Sequence, residues 1–178
     1  MKTTLSFIAM AFLVTSGNAL WARGNGQPGQ HSYQPNSLCA AQEHIVFSCE
    51  VRRTAKLVSL CASKDLTKEK GYLQYRFGLP DKIELEFPKT QARTQEQFTY
   101  SHYFRYQVDL TEINFTIDGY GYQIFDTYNG EEKPKISEAG VNVTPPGKPK
   151  AVSFVCRTKA RADYSNLDEV LTRVESEQ

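Results

Sequence analysis

The stretch INFTIDGYGYQIF, Ile113 to Phe125, decides how the chain is read. Asp118-Gly119 separates two alternating runs, and a type I′ turn needs the positive φ that Asp and Gly tolerate. With the turn there, Ile117 opposes Tyr120, Phe115 opposes Tyr122 and Ile113 opposes Ile124. All six side chains then share one face, so the register agrees with itself and with one buried face. The GYGY run lacks a following helix and a Lys-Ser/Thr pair, so it is not a phosphate loop.

The same period of two extends upstream. In FTYSHYFRYQV, Phe98 to Val108, and on to Leu110, one long strand is predicted. Phe98, Tyr100, His102, Phe104, Tyr106, Val108 and Leu110 share its core face. A stacking platform for bases is ringed by Lys and Arg, whereas the opposite parity here carries both signs. Tyr103 breaks the parity and is expected beside Arg105 on the exposed face, a residue pair favoured in protein interfaces.

GYLQYRFGLPDKIELEFP, Gly71 to Pro88, predicts another hairpin. Leu73, Tyr75 and Phe77 face one way, and Tyr72, Gln74 and Arg76 the other. Gly78-Leu79-Pro80-Asp81 has turn chemistry. Ile83, Leu85 and Phe87 return on the core side, with Glu84 or Glu86 as the cross-strand partner of Arg76. The turn presents Leu79 as an apolar tip, with Asp81 and Lys82 beside it.

Ile45, Phe47, Cys49 and Val51 share a parity, and Lys56 to Cys61 forms the next strand. Val141 and Val143, then Val152, Phe154 and Cys156, supply the last strands. In the tail, Ser165 with Asp168 resembles a capping box, and Leu167, Val170, Leu171 and Val174 fall on one helical stripe. The expectation is all-β, an antiparallel sandwich or small barrel of seven to nine strands over 39–160, with a short C-terminal helix over 161–178.

The first nineteen residues read as a signal peptide. Lys2 precedes the apolar run Leu5 to Val14, and Gly17-Asn18-Ala19 offers a cleavage site. The run is too short to span a bilayer, so no transmembrane segment is expected after cleavage. Residues 20–38, rich in Gly, Gln, Pro and Asn, read as a flexible or surface arm. Basic and acidic residues number 21 and 20. That balance argues against a nucleic-acid partner, whose phosphates demand a basic excess. Cys39, Cys49, Cys61 and Cys156 are even in number in an exported chain, so two disulfides are expected and three connectivities are open. Pairing Cys49 with Cys61 and Cys39 with Cys156 is preferred. Their wide gaps, and the scatter of His31, His44 and His102, point to no metal site.

No nucleophile with a neighbouring base, no cofactor motif and no carboxylate pair with a catalytic setting is legible, so no enzyme is expected. His102, on the aromatic face, reads as a core histidine. FSCEV, KLVSLCAS, YLQYRFG, IELEFP, SHYFRYQV, the INFTIDGYGYQIF hairpin and AGVNV together resemble an uncharacterised family of small exported β-rich proteins of Gram-negative bacteria. The chain is also similar in type to periplasmic lysozyme inhibitors, but lacks their Ser-Gly-x-x-Tyr loop. The resemblance implies a periplasmic or secreted protein and brings no activity. The expected function is a protein-binding module, such as an inhibitor or immunity protein against a cell-wall hydrolase or toxin. Tyr103, Arg105, Leu79, Asp81 and Lys82 are its candidate contacts. The alternative is a module binding a glycan or small apolar ligand through exposed aromatics.

Overall fold

The computed structural model describes residues 32–175. The expected signal peptide, the arm up to residue 31 and the end of the tail lie outside the described residues. The strands are β1 (His44–Glu50), β2 (Leu57–Ala62), β3 (Leu73–Leu79), β4 (Lys82–Phe87), β5 (Thr99–Arg105), β6 (Val108–Ile117), β7 (Tyr120–Asn129), β8 (Ile136–Thr144) and β9 (Val152–Val155). Two-residue strands β10 (Arg161–Ala162) and β11 (Thr172–Arg173) flank α1 (Leu167–Val170), the one α-helix among the described residues.

They form an all-β sandwich. One sheet has the order β10-β1-β2-β3-β4, the other β11-β5-β6-β7-β8-β9. Pairing is antiparallel except where β11 runs parallel to β5. The Asp118-Gly119 hairpin has the expected register, Ile117 to Tyr120, Phe115 to Tyr122 and Ile113 to Ile124. Both turn residues take positive φ, 50° and 81°. The β3–β4 hairpin also forms, closing through Pro80-Asp81. Gly78, at φ 142°, stands where a Cβ would meet the Lys82 carbonyl oxygen at 2.5 Å, so only glycine fits.

Between the sheets lies a core of rings. Phe115 packs on Tyr75, Phe87, Phe98 and Tyr122. Along β3, Tyr75 meets β6 and β7, and two residues on Phe77 meets Phe154 of β9. Such short travel across several strands means that the two sheets cross steeply.

Four expectations change. The predicted long strand from Phe98 is two strands, joined by a tight turn at Tyr106-Gln107 in which Gln107 takes φ 61°. The turn reverses parity, so Val108 and Leu110 lie on the face of Tyr103 and Arg105, opposite Phe98 and Tyr100. In β1 a bulge between Ile45 and Phe47 turns Ile45 to the outer side, while Phe47 and Cys49 remain in the core. The predicted C-terminal helix has four residues. It buries Leu167 and Val170, with Leu171 just beyond, and the chain then leaves to pair with the edge of β5. Asn166 is its N-cap, and Ser165 instead bonds Asp163.

The disulfides are Cys39–Cys61 and Cys49–Cys156, not the preferred pairing. The reason is the faces: Cys49 lies opposite Val58 in the core, whereas Cys61 lies opposite Ile45 on the outer side. A sheet separates the two sulfurs. Cys49–Cys156 staples one sheet to the other, and Cys39–Cys61 fastens the N-terminal segment. Accordingly Ser37 and Leu38, expected in a flexible arm, are buried. Among the described residues no helix is long and apolar enough to cross a membrane.

Candidate functional site

Three places hold chemistry. The first is the outer face of the five-stranded sheet. Ser48, Ser59, Arg76 and Glu86 form one row across β1–β4. Arg76 donates from Nη1 to Glu43 Oε2 at 2.6 Å, from Nη2 to Glu43 Oε1 at 2.8 Å and from Nε to Glu86 Oε2 at 3.0 Å. It also donates to the Leu38 carbonyl, and the Tyr72 hydroxyl donates to Glu43. Both Arg76 and Glu43 are buried, at 5% and 4% exposure. Burial pulls the Arg76 guanidinium down, but the bonds and charges of Glu43 and Glu86 outweigh it, and the group lies above its ordinary value. Every strong donor and acceptor there has a partner, so this is a clamp and not an open site. Cys39, Cys61 and Glu43 have metal-ligand spacing, but the two sulfurs are bonded to each other and the carboxylate holds Arg76.

The second place is the β5–β6 turn. Phe104 and Tyr106, expected in the core, are 71% and 83% exposed. Arg105 stands between them, and both its Nη atoms donate to the Glu131 carboxylate, Nη2 to Oε2 at 2.7 Å. The Glu131 contact, with Tyr103 adding to it, raises the guanidinium further above its ordinary value. The Gly130 N–H donates to the Gln107 carbonyl at 2.8 Å, so a second loop braces the tip. Tyr103 itself is half-buried.

The sequence-predicted contacts are not brought together. Tyr103 and Arg105 lie on β5. Leu79 is half-buried at the end of β3, paired with Lys82, and the exposed tip is Pro80-Asp81. Phe77, two residues earlier, already lies over β9. Strands β5 and β9 are four spacings apart, about 19 Å. Leu79 is therefore not the expected apolar tip, and Asp81 and Lys82 belong to a different edge from Tyr103. Phe104 and Tyr106 were illegible as exposed because the turn contains no Gly, Asn or Pro.

The third place is a cavity of about 600 Å³ on the inner face of the six-stranded sheet, beyond the core. There the rows stop being apolar. His102, Thr111, Asp126 and Ala139 form one row, and Phe104, Asp109, Tyr128 and Ser137 the next. His102 Nε2 and Asp109 Oδ1 are hydrogen-bonded at 2.9 Å. The crossing segment after β9 covers the site, and its Tyr164 hydroxyl donates to Asp126 Oδ2 at 3.1 Å. Burial, with the Asp109 charge, pushes the Asp126 carboxyl up against the pull of Tyr164 and Lys159. His102 is thus a partly exposed member of a polar cavity and not a core residue.

No family model, curated protein or solved structure matches the chain. The functional reading rests on these residues.

Proposed function

We propose that this chain is an exported, non-enzymatic protein-binding module of the periplasm or cell exterior, and that the β5–β6 tip is its anchor. One observation carries the reading: Phe104 and Tyr106 are the most exposed of the described large hydrophobics, and they flank an Arg held in place by Glu131. Interface energy concentrates in a few aromatic and Arg anchors, and a braced tip loses little entropy on docking. A projecting turn fits a concave surface such as the cleft of a cell-wall hydrolase or toxin. Two disulfides suit folding in an oxidising compartment. This keeps Tyr103 and Arg105 of the expected contacts and sets aside Leu79, Asp81 and Lys82.

The test is capture from periplasmic extract, followed by titration of the purified partner. Phe104→Ala and Tyr106→Ala should each weaken binding about tenfold or more while leaving the melting temperature within a few degrees. Equal binding by wild type and both variants would remove the tip from the interface.

A further inference from the structure

We propose that the polar cavity on the inner face of the six-stranded sheet is a binding site for a saccharide, held through its hydroxyl groups. The site is distinct from the protein-binding tip, since neither Phe104 nor Tyr106 lines it.

The cavity volume, about 600 Å³, falls in the range of small-ligand sites. Its charges select the ligand. Asp109, Asp126 and Glu138 line it from the sheet, and Arg52, Arg157 and Lys159 line it too, Arg157 also pairing with Glu50 at 3.0 Å. A simple anion entering the cavity faces three carboxylates, and a simple cation faces three basic groups. A neutral ligand avoids both penalties, provided that it satisfies acceptors and donors together. Hydroxyl groups do so, since each both donates and accepts.

The polar atoms are pre-oriented. Tyr164 occupies Asp126 Oδ2, and the other oxygen, Oδ1, has no hydrogen-bond donor among the described residues. His102 is held by Asp109 through Nε2, which leaves Nδ1 for a ligand. Tyr128, 40% exposed, flanks Asp109, and Tyr164 bonds Asp126, so two lining rings border the carboxylates. Rings of this kind cover the apolar faces of a pyranose while the carboxylates take its hydroxyls. No residue here has the geometry of a nucleophile with its base, so the inference is of binding alone.

Full-length mature protein, labelled with ¹⁵N, is titrated with maltotriose, cellotriose and N-acetylchitotriose up to about 10 mM, tenfold above a millimolar Kd. Triglycine, a zwitterion that could match the opposed charges, is titrated alongside. The expected result is saturable shifts confined to His102, Thr111, Asp126 and Tyr164 with at least one saccharide, and none with triglycine. Asp126→Asn should weaken that saccharide about tenfold, because a charged acceptor is lost. Tyr106→Ala should leave it unchanged, which separates this site from the tip. No shift with any saccharide, shifts away from the cavity, or a response to triglycine alone would overturn the proposal. So would an unaltered Kd in a folded Asp126→Asn protein.

Discussion

The five-stranded sheet is buried on both faces by two different chemistries. Its inner side presents Phe47, Leu60, Tyr75 and Phe87 in one row to the rings of the other sheet. Its outer side presents Ser48, Ser59, Arg76 and Glu86, roofed by the segment around Leu38 and Glu43. The inner face gains from apolar area removed from water and from ring contacts. The outer face gains little net from its ion pair, because two desolvated charges cost about what they recover. What the outer face supplies is geometry. An Arg with two carboxylates and a carbonyl as acceptors admits one placement of the N-terminal segment and rejects others.

The disulfides divide between these faces and give the largest effect. Cys49–Cys156 closes a separation of 107 residues through the core, and Cys39–Cys61 one of 22 on the polar side. Loop-closure entropy alone makes the first worth about 5 kcal/mol and the second about 3. Replacing each pair by Ser and measuring urea unfolding should reproduce that order. If removing Cys39 and Cys61 costs more, the polar roof contributes more stability than the core staple, and the comparison is upset.

Next come single side chains on either face. Phe115→Ala should cost about 3–5 kcal/mol, since a buried ring is removed and four rings lose their neighbour. Arg76→Ala should also cost about 3–5 kcal/mol, for an unlike reason: it leaves the Glu43 charge buried without its partner. The double change Arg76→Met with Glu43→Leu separates the two reasons. It should recover most of the loss, because no charge is then left stranded. A double variant as unstable as Arg76→Ala would mean that the polar face is held by its bonds after all.

The contrast also explains what could be read in the chain. Alternation told correctly that Leu73, Tyr75 and Phe77 oppose Tyr72, Gln74 and Arg76, and Asp118-Gly119 fixed a register at residue level. Parity assigns faces. It does not say what covers them. Arg76 read as a polar-face residue with Glu84 or Glu86 across the strand, and Glu86 is that partner, but its roof comes from a segment tens of residues away. The tip failed for a local reason: Gln107 takes positive φ without being Gly or Asn, so the aromatic parity ran on through a turn with no signal. The disulfide pairing failed because the bulge in β1 and the faces of Cys49 and Cys61 depend on three-dimensional register. The cavity was hidden for a similar reason, since His102 and Asp126 meet only when β5 to β7 pair.

The smallest effect lies on a third surface, polar like the outer face but only partly covered, at Asp126. Burial is the main cause that raises its carboxyl above the ordinary 3.8, and the Tyr164 bond only partly offsets it. A carboxyl with a folded value above its unfolded one binds its proton more tightly in the folded state. At neutral pH the ionised group therefore destabilises the fold, and that penalty disappears as pH falls through the raised folded value and below 3.8. Asp126→Asn keeps the shape and an acceptor for the Tyr164 hydroxyl while removing the charge. The variant should be slightly more stable than wild type at pH 7, and the gap should close by about pH 3. Urea midpoints at the two pH values measure it. Arg76→Ala provides the contrast, because its loss at pH 7 comes from removing a paired charge and carries the opposite sign. A wild type that is the more stable at pH 7 would show Asp126 to be stabilised by its neighbours, as Glu43 is, and would erase the distinction between the roofed polar face and the partly covered one.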